Sequence, residues 1–254
     1  MHRSFSYTLL ITWFLIAISC QTNFIVKDYQ AQNISISEAI NPVDSQIIRI
    51  YQPYKDILDK DMNRVISISE IEMIKDKPES ELTNFLADLL LEEGKQDATN
   101  LNQSFIPKIS YFNYGGIRTS IPKGEVTIGK IFELMPFENE MVFVQLDGSQ
   151  VQQFFNAIAE KGGDSVGGAT FIISDNQAKN VVIDGEKLNM EEKYWLVTND
   201  YIANGGDGLA VFSHKLQIIN SGKKIRDVII KYLEDKQKEG VTLNAKLDGR
   251  IKNE

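Results

Sequence analysis

The stretch MVFVQLDGSQVQQFFNAIAEKGG, residues 141–163, decides which kind of fold this chain can adopt. Its first part, Met141 to Leu146, is a largely apolar run, suited to a strand covered on both faces rather than one with a wet side. Beyond Gly148 the period lengthens. Ser149 can cap a helix whose apolar positions Val151, Phe154, Phe155, Ile158 and Ala159 share one face, and Gly162 and Gly163 stop it. A doubly covered strand running straight into an amphipathic helix calls for mixed layers of helix and sheet.

The same alternation continues outward. Ile47, Tyr51, Tyr54 and Leu58 recur at helical spacing, and Ile66 to Ser69 alternates as a strand does. Pro78 precedes Leu82, Phe85, Leu86, Leu89 and Leu90, which predict a buried helix closed by Gly94 as its C-cap. Phe105 to Phe112 reads as strand, and Thr127 can cap a short helix carrying Ile128, Ile131 and Leu134. Strands are expected at Thr170–Ser174, Val181–Ile183 and Tyr194–Thr198. A last amphipathic helix uses Ile225, Val228, Ile229, Tyr232 and Leu233. No repeat and no break in composition appears after residue 42, so residues 43–254 read as one α/β (α+β) domain.

The first forty residues are of another kind. His2 and Arg3 precede an apolar run from Tyr7 to Ile18 that ends in Ala17-Ile18-Ser19-Cys20, the charged, apolar and small-residue order of a secretory leader. The run is short for a membrane span. Cys20 is the only cysteine of the chain, and LIAISC resembles a bacterial lipoprotein signal with Cys20 as the lipidated residue. An ordinary leader with an incidental cysteine is the alternative. Residues 1–19 are thus expected to be a leader and 20–42 a polar tether. The domain would then sit in the cell envelope, lipid-anchored and facing the periplasm.

Composition removes several function classes. With 43% hydrophobic and 24% charged residues the chain can bury a full core. It carries no cysteine past residue 20, so that core has no internal disulfide. Removing Arg3 with the leader takes the net charge from −8 to −9, and no basic block stands out, which speaks against nucleic acid as a partner. His214 is the one histidine past the leader, too few for a dinuclear metal site built on converging His and carboxylate ligands, and its polar surroundings read as surface. No P-loop and no dinucleotide-binding glycine fingerprint is present.

Three stretches could carry chemistry. NYGGIR, Asn113 to Arg118, pairs glycines that let a backbone approach a ligand with an arginine whose fork fits phosphate or carboxylate; a turn with a structural ion pair is the plain alternative. MPFENE, Met135 to Glu140, sets Phe137 after a proline near a helix end, where it is either exposed or a core residue. NDYIANGGDGLAVF, Asn199 to Phe212, puts Tyr201, three glycines and Asp207 between runs that otherwise read as strand; the carboxylate could accept from a sugar diol, or the stretch could be a hairpin turn. Taken together, two aromatics, an arginine, asparagines and an aspartate at element ends suit a nucleoside pocket.

The order NYGGIR…PKGEVTIGKIFELMPFEN…LDGSQVQQFF…VGGATF…YWLVTNDYIANGGDG resembles the C-terminal, substrate-binding domain of the 5′-nucleotidase family, which includes UDP-sugar hydrolases and ecto-5′-nucleotidases. The resemblance covers about residues 45–254, with PESELTNFLADLL matching the first helix of that domain. It implies a layered mixed-sheet domain that clamps a nucleotide, while a separate metallophosphoesterase domain holds two metal ions and cleaves the ester. That catalytic domain has no counterpart in this sequence. The resemblance further implies that Phe137 and Tyr201 sandwich the base, Tyr201 standing where the family usually has phenylalanine. Asp207 would accept from the ribose, Arg118 would meet the phosphate or ribose side, Asn113 and Asn139 would touch polar edges, and Gly167 and Gly168 would line the pocket. One departure stands out: relatives often carry another arginine at or before the first helix, whereas KDKPESELTN offers only Lys75 and Lys77, with Asn84 in the helix. A weaker phosphate grip, or one completed by a partner, is expected.

Two functions follow from the resemblance. The chain is expected to be the nucleotide-binding subunit of a split 5′-nucleotidase-type enzyme. It would have no catalytic residue and no cofactor of its own, and divalent metals would sit in a separately encoded metallophosphoesterase. The alternative is a non-catalytic envelope lipoprotein that binds nucleosides or nucleotides.

Overall fold

The apolar run at residues 141–146 lies inside a strand, Glu140–Asp147, and its side chains feed two separate cores. Met141 and Phe143 point into one, Val142, Val144 and Leu146 into the other, and all five are fully buried. Alternation along a strand gives each face every second residue, so a run interrupted by a single polar residue, Gln145, requires cover on both sides.

A computed structural model of the protein describes Asn33 and residues 44–254; the expected leader, Cys20 and nearly all of the tether lie outside the described residues. In chain order the elements are α1 (Ser45–Met62), β1 (Val65–Ser69), α2 (Glu81–Asn100), β2 (Ile109–Phe112), β3 (Gly124–Thr127), α3 (Ile128–Leu134), β4 (Glu140–Asp147), α4 (Gly148–Glu160), β5 (Ser165–Gly167), β6 (Ala169–Ser174), β7 (Gln177–Ile183), β8 (Glu186–Lys187), β9 (Lys193–Asn199), α5 (Asp200–Ala203), β10 (Gln217–Lys224), α6 (Ile225–Lys238) and β11 (Ile251–Asn253). Residues 51–254 form one unit; the boundary with residues 1–50 falls within α1.

The main sheet has the order β10-β4-β9-β2-β5, with β2 and β9 parallel and its other neighbours antiparallel. A second sheet, β11-β6-β7-β8, is antiparallel except where β11 runs beside β6, and β1 pairs with β3. One face of the main sheet is covered by α2, α3, α6 and the β1–β3 pair, through Leu86, Leu90, Ile131 and Ile229. The other face meets α4 and the second sheet, through Phe154, Phe155, Phe171 and Ile183. The expected layered, mixed-sheet domain is therefore the architecture present.

Three local expectations are corrected. Gly94 does not end α2, which continues to Asn100; a Cβ at Gly94 would stand 2.9 Å from Cγ1 of Val197 on β9, so the missing side chain lets the helix lie close on the sheet. Its N-terminus is set by Ser80, which accepts from the Thr83 backbone N–H while the Ser80 N–H donates to the Thr83 hydroxyl. Ser149 does not cap α4: Asp147 does, accepting from the Gln150 N–H at 2.9 Å, and the Ser149 hydroxyl donates to the same carboxylate. Finally, the residues after the 205–208 glycines form no strand, because Ala210–His214 coil into a 3-10 turn. Strand β10, absent from the sequence expectations, is largely exposed and lacks the alternation that marks a half-buried strand.

The helical spacing around Tyr54 does give a helix, α1, yet none of its residues is buried. Spacing fixes which side chains share a face, not whether anything covers it.

Candidate functional site

Each of the three stretches singled out in the sequence is held at the same end of the main sheet. Asn113 follows β2, Asn139 precedes β4, and Asn199 ends β9, so three neighbouring strand ends supply the floor. Asn199 caps α5 by accepting from the Ile202 N–H at 2.8 Å, which turns the chain sharply and throws Tyr201 outward. Its Nδ2 donates to Oδ1 of Asn113 at 3.3 Å, joining the ends of β9 and β2.

The loop bearing Phe137 is tied down from two sides. The buried guanidinium of Arg226 in α6 pairs with Glu138, donates to the Met135 carbonyl at 3.4 Å and lies over the ring of Phe132. The carboxylate of Asp200 accepts from Nδ2 of Asn139 at 2.9 Å, from the Glu140 N–H at 3.1 Å and from the Tyr201 N–H at 2.9 Å. One carboxylate thereby couples the segment carrying Phe137 to the segment carrying Tyr201.

Asp207 sits in the glycine-rich turn at a φ of 53°, the left-handed region that aspartate tolerates better than most residues. Both carboxylate oxygens are engaged: the Tyr201 hydroxyl donates to Oδ1 at 2.8 Å and Nδ2 of Asn113 to Oδ2 at 2.7 Å. The Tyr201 hydroxyl also accepts from the Asp207 N–H at 3.1 Å. Gly206 makes this possible, because a Cβ there would stand 2.4 Å from Cε1 of the Tyr201 ring. Lys161, just past α4, donates to the Asp207 carbonyl at 2.6 Å. The glycines of NDYIANGGDG thus serve the loop's fold against Tyr201, and the carboxylate is fixed by its neighbours with unused lone pairs on each oxygen.

These residues enclose a cavity of about 350 Å³, lined by Asn113, Gly115, Gly116, Arg118, Met135, Phe137, Asn139, Asn199, Tyr201, Asp207 and Ile225. Phe137 and Tyr201 are each 47% exposed and so belong to the cavity rather than the core. Arg118 is exposed at its edge, its guanidinium donating to the Gly115 carbonyl at 3.0 Å. Six of the eight predicted substrate-binding residues therefore converge: Asn113, Arg118, Phe137, Asn139, Tyr201 and Asp207.

Gly167 and Gly168 do not line this cavity, which corrects their placement. A Cβ on Gly167 would meet the Ser110 hydroxyl at 2.3 Å, and one on Gly168 would meet the Lys108 carbonyl oxygen at 2.1 Å. Their role is the close approach of β5 and β6 to β2 and α2. Sequence reading missed Asn199, Asp200 and Arg226. The first two stand in the quoted ND pair ahead of Tyr201, where a helix-capping signal was available; Arg226 gave none. Among the described residues, no group of three or more His, Cys, Asp or Glu is placed to hold a metal ion. His214 is exposed at the end of its turn, outside the cavity.

Behind the site lies one buried acid. Asp164 is 3% exposed, accepts from the Tyr111 hydroxyl at 2.9 Å and from the Ser165 N–H at 2.8 Å. Burial pushes its pKa up to about 6 against the pull of these hydrogen bonds and of Lys77 and Lys161. The same burial, with Asp164 beside it, raises the Tyr111 phenol well above its ordinary value. Because the folded form holds this proton more tightly than the unfolded chain, Asp164 favours folding below pH 4, and that contribution is lost as pH rises through about 6. Denaturant unfolding of Asp164→Asn and wild type at pH 4 and pH 7 should therefore shift in the variant's favour by about 2 kcal/mol between the two pH values. A difference independent of pH would show that Asp164 titrates normally.

The comparisons with known proteins decide the family. The profile described as 5′-nucleotidase, C-terminal domain, matches residues 62–214, more than half of the chain. The chain belongs to the 5′-nucleotidase C-terminal domain family. It is 30% identical over 190 residues to the trifunctional nucleotide phosphoesterase protein YfkN of Bacillus subtilis, covering 68% of this chain and 12% of that protein. It is 25% identical over 217 residues to the 5′-nucleotidase of Vibrio vulnificus, covering 82% of this chain and 37% of that one. The crystal structure of the 5′-nucleotidase precursor from Thermus thermophilus superposes with a TM-score of 0.66 at 26% identity, over 84% of this chain and 44% of that chain. This 5′-nucleotidase C-terminal domain thus spans well under half the length of the curated relatives it matches.

Proposed function

We propose that this chain is the nucleotide-binding component of a 5′-nucleotidase-type phosphohydrolase and that a separate metallophosphoesterase supplies the metals and the hydrolytic step. The observation that carries this reading is the placement of Phe137 and Tyr201, two half-exposed rings on separate connecting segments that line one cavity together with an immobilised carboxylate. A flat heterocycle entering between the rings would bury two aromatic faces without any base-specific hydrogen bond. The ribose hydroxyls would then donate to the remaining lone pairs of Asp207, whose orientation is fixed in advance by Tyr201 and Asn113, so little ordering cost falls on binding. Arg118, whose partner is a neutral carbonyl, retains its charge for an anionic group. Among the described residues no group of three or more His, Cys, Asp or Glu is placed to hold a metal ion, and in this reading the residues lining the cavity bind and orient.

The test is calorimetry with AMP, adenosine and a UDP-sugar on wild type and Phe137→Ala. Loss of one stacking face should cost about 1–3 kcal/mol, roughly 5- to 150-fold in Kd, with Tm unchanged because the ring is half-exposed. The chain alone should release no phosphate with any divalent metal and should do so when a metallophosphoesterase partner is added. Equal affinities for wild type and variant would remove the base sandwich; turnover by the isolated chain would remove the division of labour. The second reading is a lipoprotein that binds nucleosides or nucleotides without catalysis, for which the same cavity residues Phe137, Tyr201 and Asp207 would serve. In that case binding persists and no partner confers hydrolysis.

A further inference from the structure

The backbone ladder between β4 and β9 ends at the pair Met141 and Asn199. Beyond it the two chains part: residues 135–140 carry Phe137, and α5 carries Tyr201. A phenylalanine has no polar atom by which to be held, so the position of Phe137 is the position of its backbone segment. Several contacts fix that segment to the start of α6. The Ile225 N–H donates to the Asn139 carbonyl at 2.9 Å, the Lys224 ammonium to the Glu138 carbonyl at 3.0 Å, and Arg226 bonds the Met135 carbonyl and the Glu138 carboxylate. Tyr201 is held on its own side, where its hydroxyl donates to Asp207.

Among the described residues, the hydrogen bonds that join residues 135–140 to residues 200–208 end on one atom, Oδ1 of Asp200. It accepts from Nδ2 of Asn139 at 2.9 Å and from the Glu140 N–H at 3.1 Å, and at the same time from the Tyr201 N–H at 2.9 Å. One step further along the β4–β9 register, Glu140 faces residue 200, where the chain has already turned into α5. The Asp200 side chain there supplies the acceptor that a continuing strand would have offered from its backbone. Three donors on one oxygen exceed the two lone pairs of a neutral carbonyl and call for the charge of a carboxylate. An acid in the first turn of a helix also suits the helix dipole, but α5 has only four residues and two of the three donors lie outside it. Asp200 is not among the residues lining the cavity, so it acts on a ligand only through the segments it holds.

We infer that Asp200 is a positioning residue: by bonding both ring-bearing segments through one carboxylate oxygen, it sets the gap between Phe137 and Tyr201 before a ligand arrives. This rests on the nucleoside reading of the cavity, and the test separates the two. Calorimetry with AMP on the full chain compares wild type, Asp200→Ala, Asp200→Asn, Phe137→Ala and the double variant Asp200→Ala/Phe137→Ala. Asp200→Ala should weaken binding about 5- to 30-fold, because the ligand must then order the two segments itself. Asp200→Asn keeps an acceptor oxygen without the charge and should fall between wild type and Asp200→Ala. In the Phe137→Ala background the loss should shrink to about twofold or less, since no pair of rings remains to be spaced, whereas a general loss of stability would act equally in both backgrounds. If Asp200→Ala does not fold, Asp200→Asn takes its place in the same cycle. Amide hydrogen exchange on the ligand-free chain gives a second readout: the Glu140 and Tyr201 amides should exchange at least about tenfold faster in Asp200→Ala, while Val142 and Val144 inside the β4–β9 ladder keep their protection. Unchanged affinity in Asp200→Ala, an equal loss with and without the Phe137 ring, or unchanged exchange at the two amides overturns the positioning role. If wild type binds no nucleotide but the two amides loosen when the carboxylate is removed, the coupling of the segments stands and the nucleoside reading falls.

Discussion

Phe154→Ala is expected to lower the free energy of unfolding by about 3–5 kcal/mol, measured by urea denaturation at neutral pH. The ring is fully buried in α4 at the meeting point of both sheets. It packs edge-on against Tyr111 of β2 at 5.2 Å and Phe212 at 5.6 Å, and tilted against Phe155 at 5.1 Å. Removing it opens a cavity that three other aromatic rings cannot fill without leaving their rotamers. Phe212 lies on the turn that follows Asp207, and Tyr111 is the partner of Asp164, so the truncation reaches the site from behind. Nucleotide affinity should fall in the same variant, unlike stability in Phe137→Ala. A loss below 1 kcal/mol would mean the two sheets can close over the gap.

Gly168→Ala is expected to cost about 2–6 kcal/mol of stability, the combined penalty of a non-glycine residue in a strained conformation and of an overpacked contact. Its φ is 73°, and an added Cβ would stand 2.1 Å from the Lys108 carbonyl oxygen and 2.9 Å from Cδ2 of Leu91. The carbonyl of Gly168 also accepts from the Asp184 N–H at 3.0 Å, which ties the start of β6 to the turn after β7. Relief would require the two strands to separate. Ligand affinity of the folded fraction should be unchanged, because the residue stands outside the cavity, and that outcome distinguishes a packing glycine from a pocket glycine. Wild-type stability in this variant would show that the approach of β5 and β6 to α2 and to the start of β2 is looser than described.

How much of this was legible beforehand depends on the range of the interaction. Residues 141–146 could be read as a doubly covered strand because every one of its faces had to be apolar, and the positions on α4 were readable from their spacing. The caps were less legible. Ser149 and Asp147 are both capable N-caps two residues apart, and the choice falls to Asp147 because Gln150 reaches back to its N–H, a contact set by the exact turn of backbone. Gly94 was misread for a related reason: a glycine near a helix end and a glycine against a sheet look alike until the sheet is in place.

At the site, six residues that sequence resemblance drew together do share one cavity, whereas Gly167 and Gly168 do not, and the supporting residues Asp200 and Arg226 emerged only from the fold. Sequence alone determined the alternation of strand and helix, the family, and the set of side chains able to stack on a base and hold a sugar, since these follow from residue type and short-range spacing. Tertiary structure alone decided which strand ends lie side by side, that the Asp207 carboxylate is gripped by Asn113 and Tyr201 from segments 94 and 6 residues away, and that Lys75 and Lys77 share one tyrosine ring. Those arrangements depend on contacts between residues distant in the chain, and no local pattern encodes the distance across a sheet.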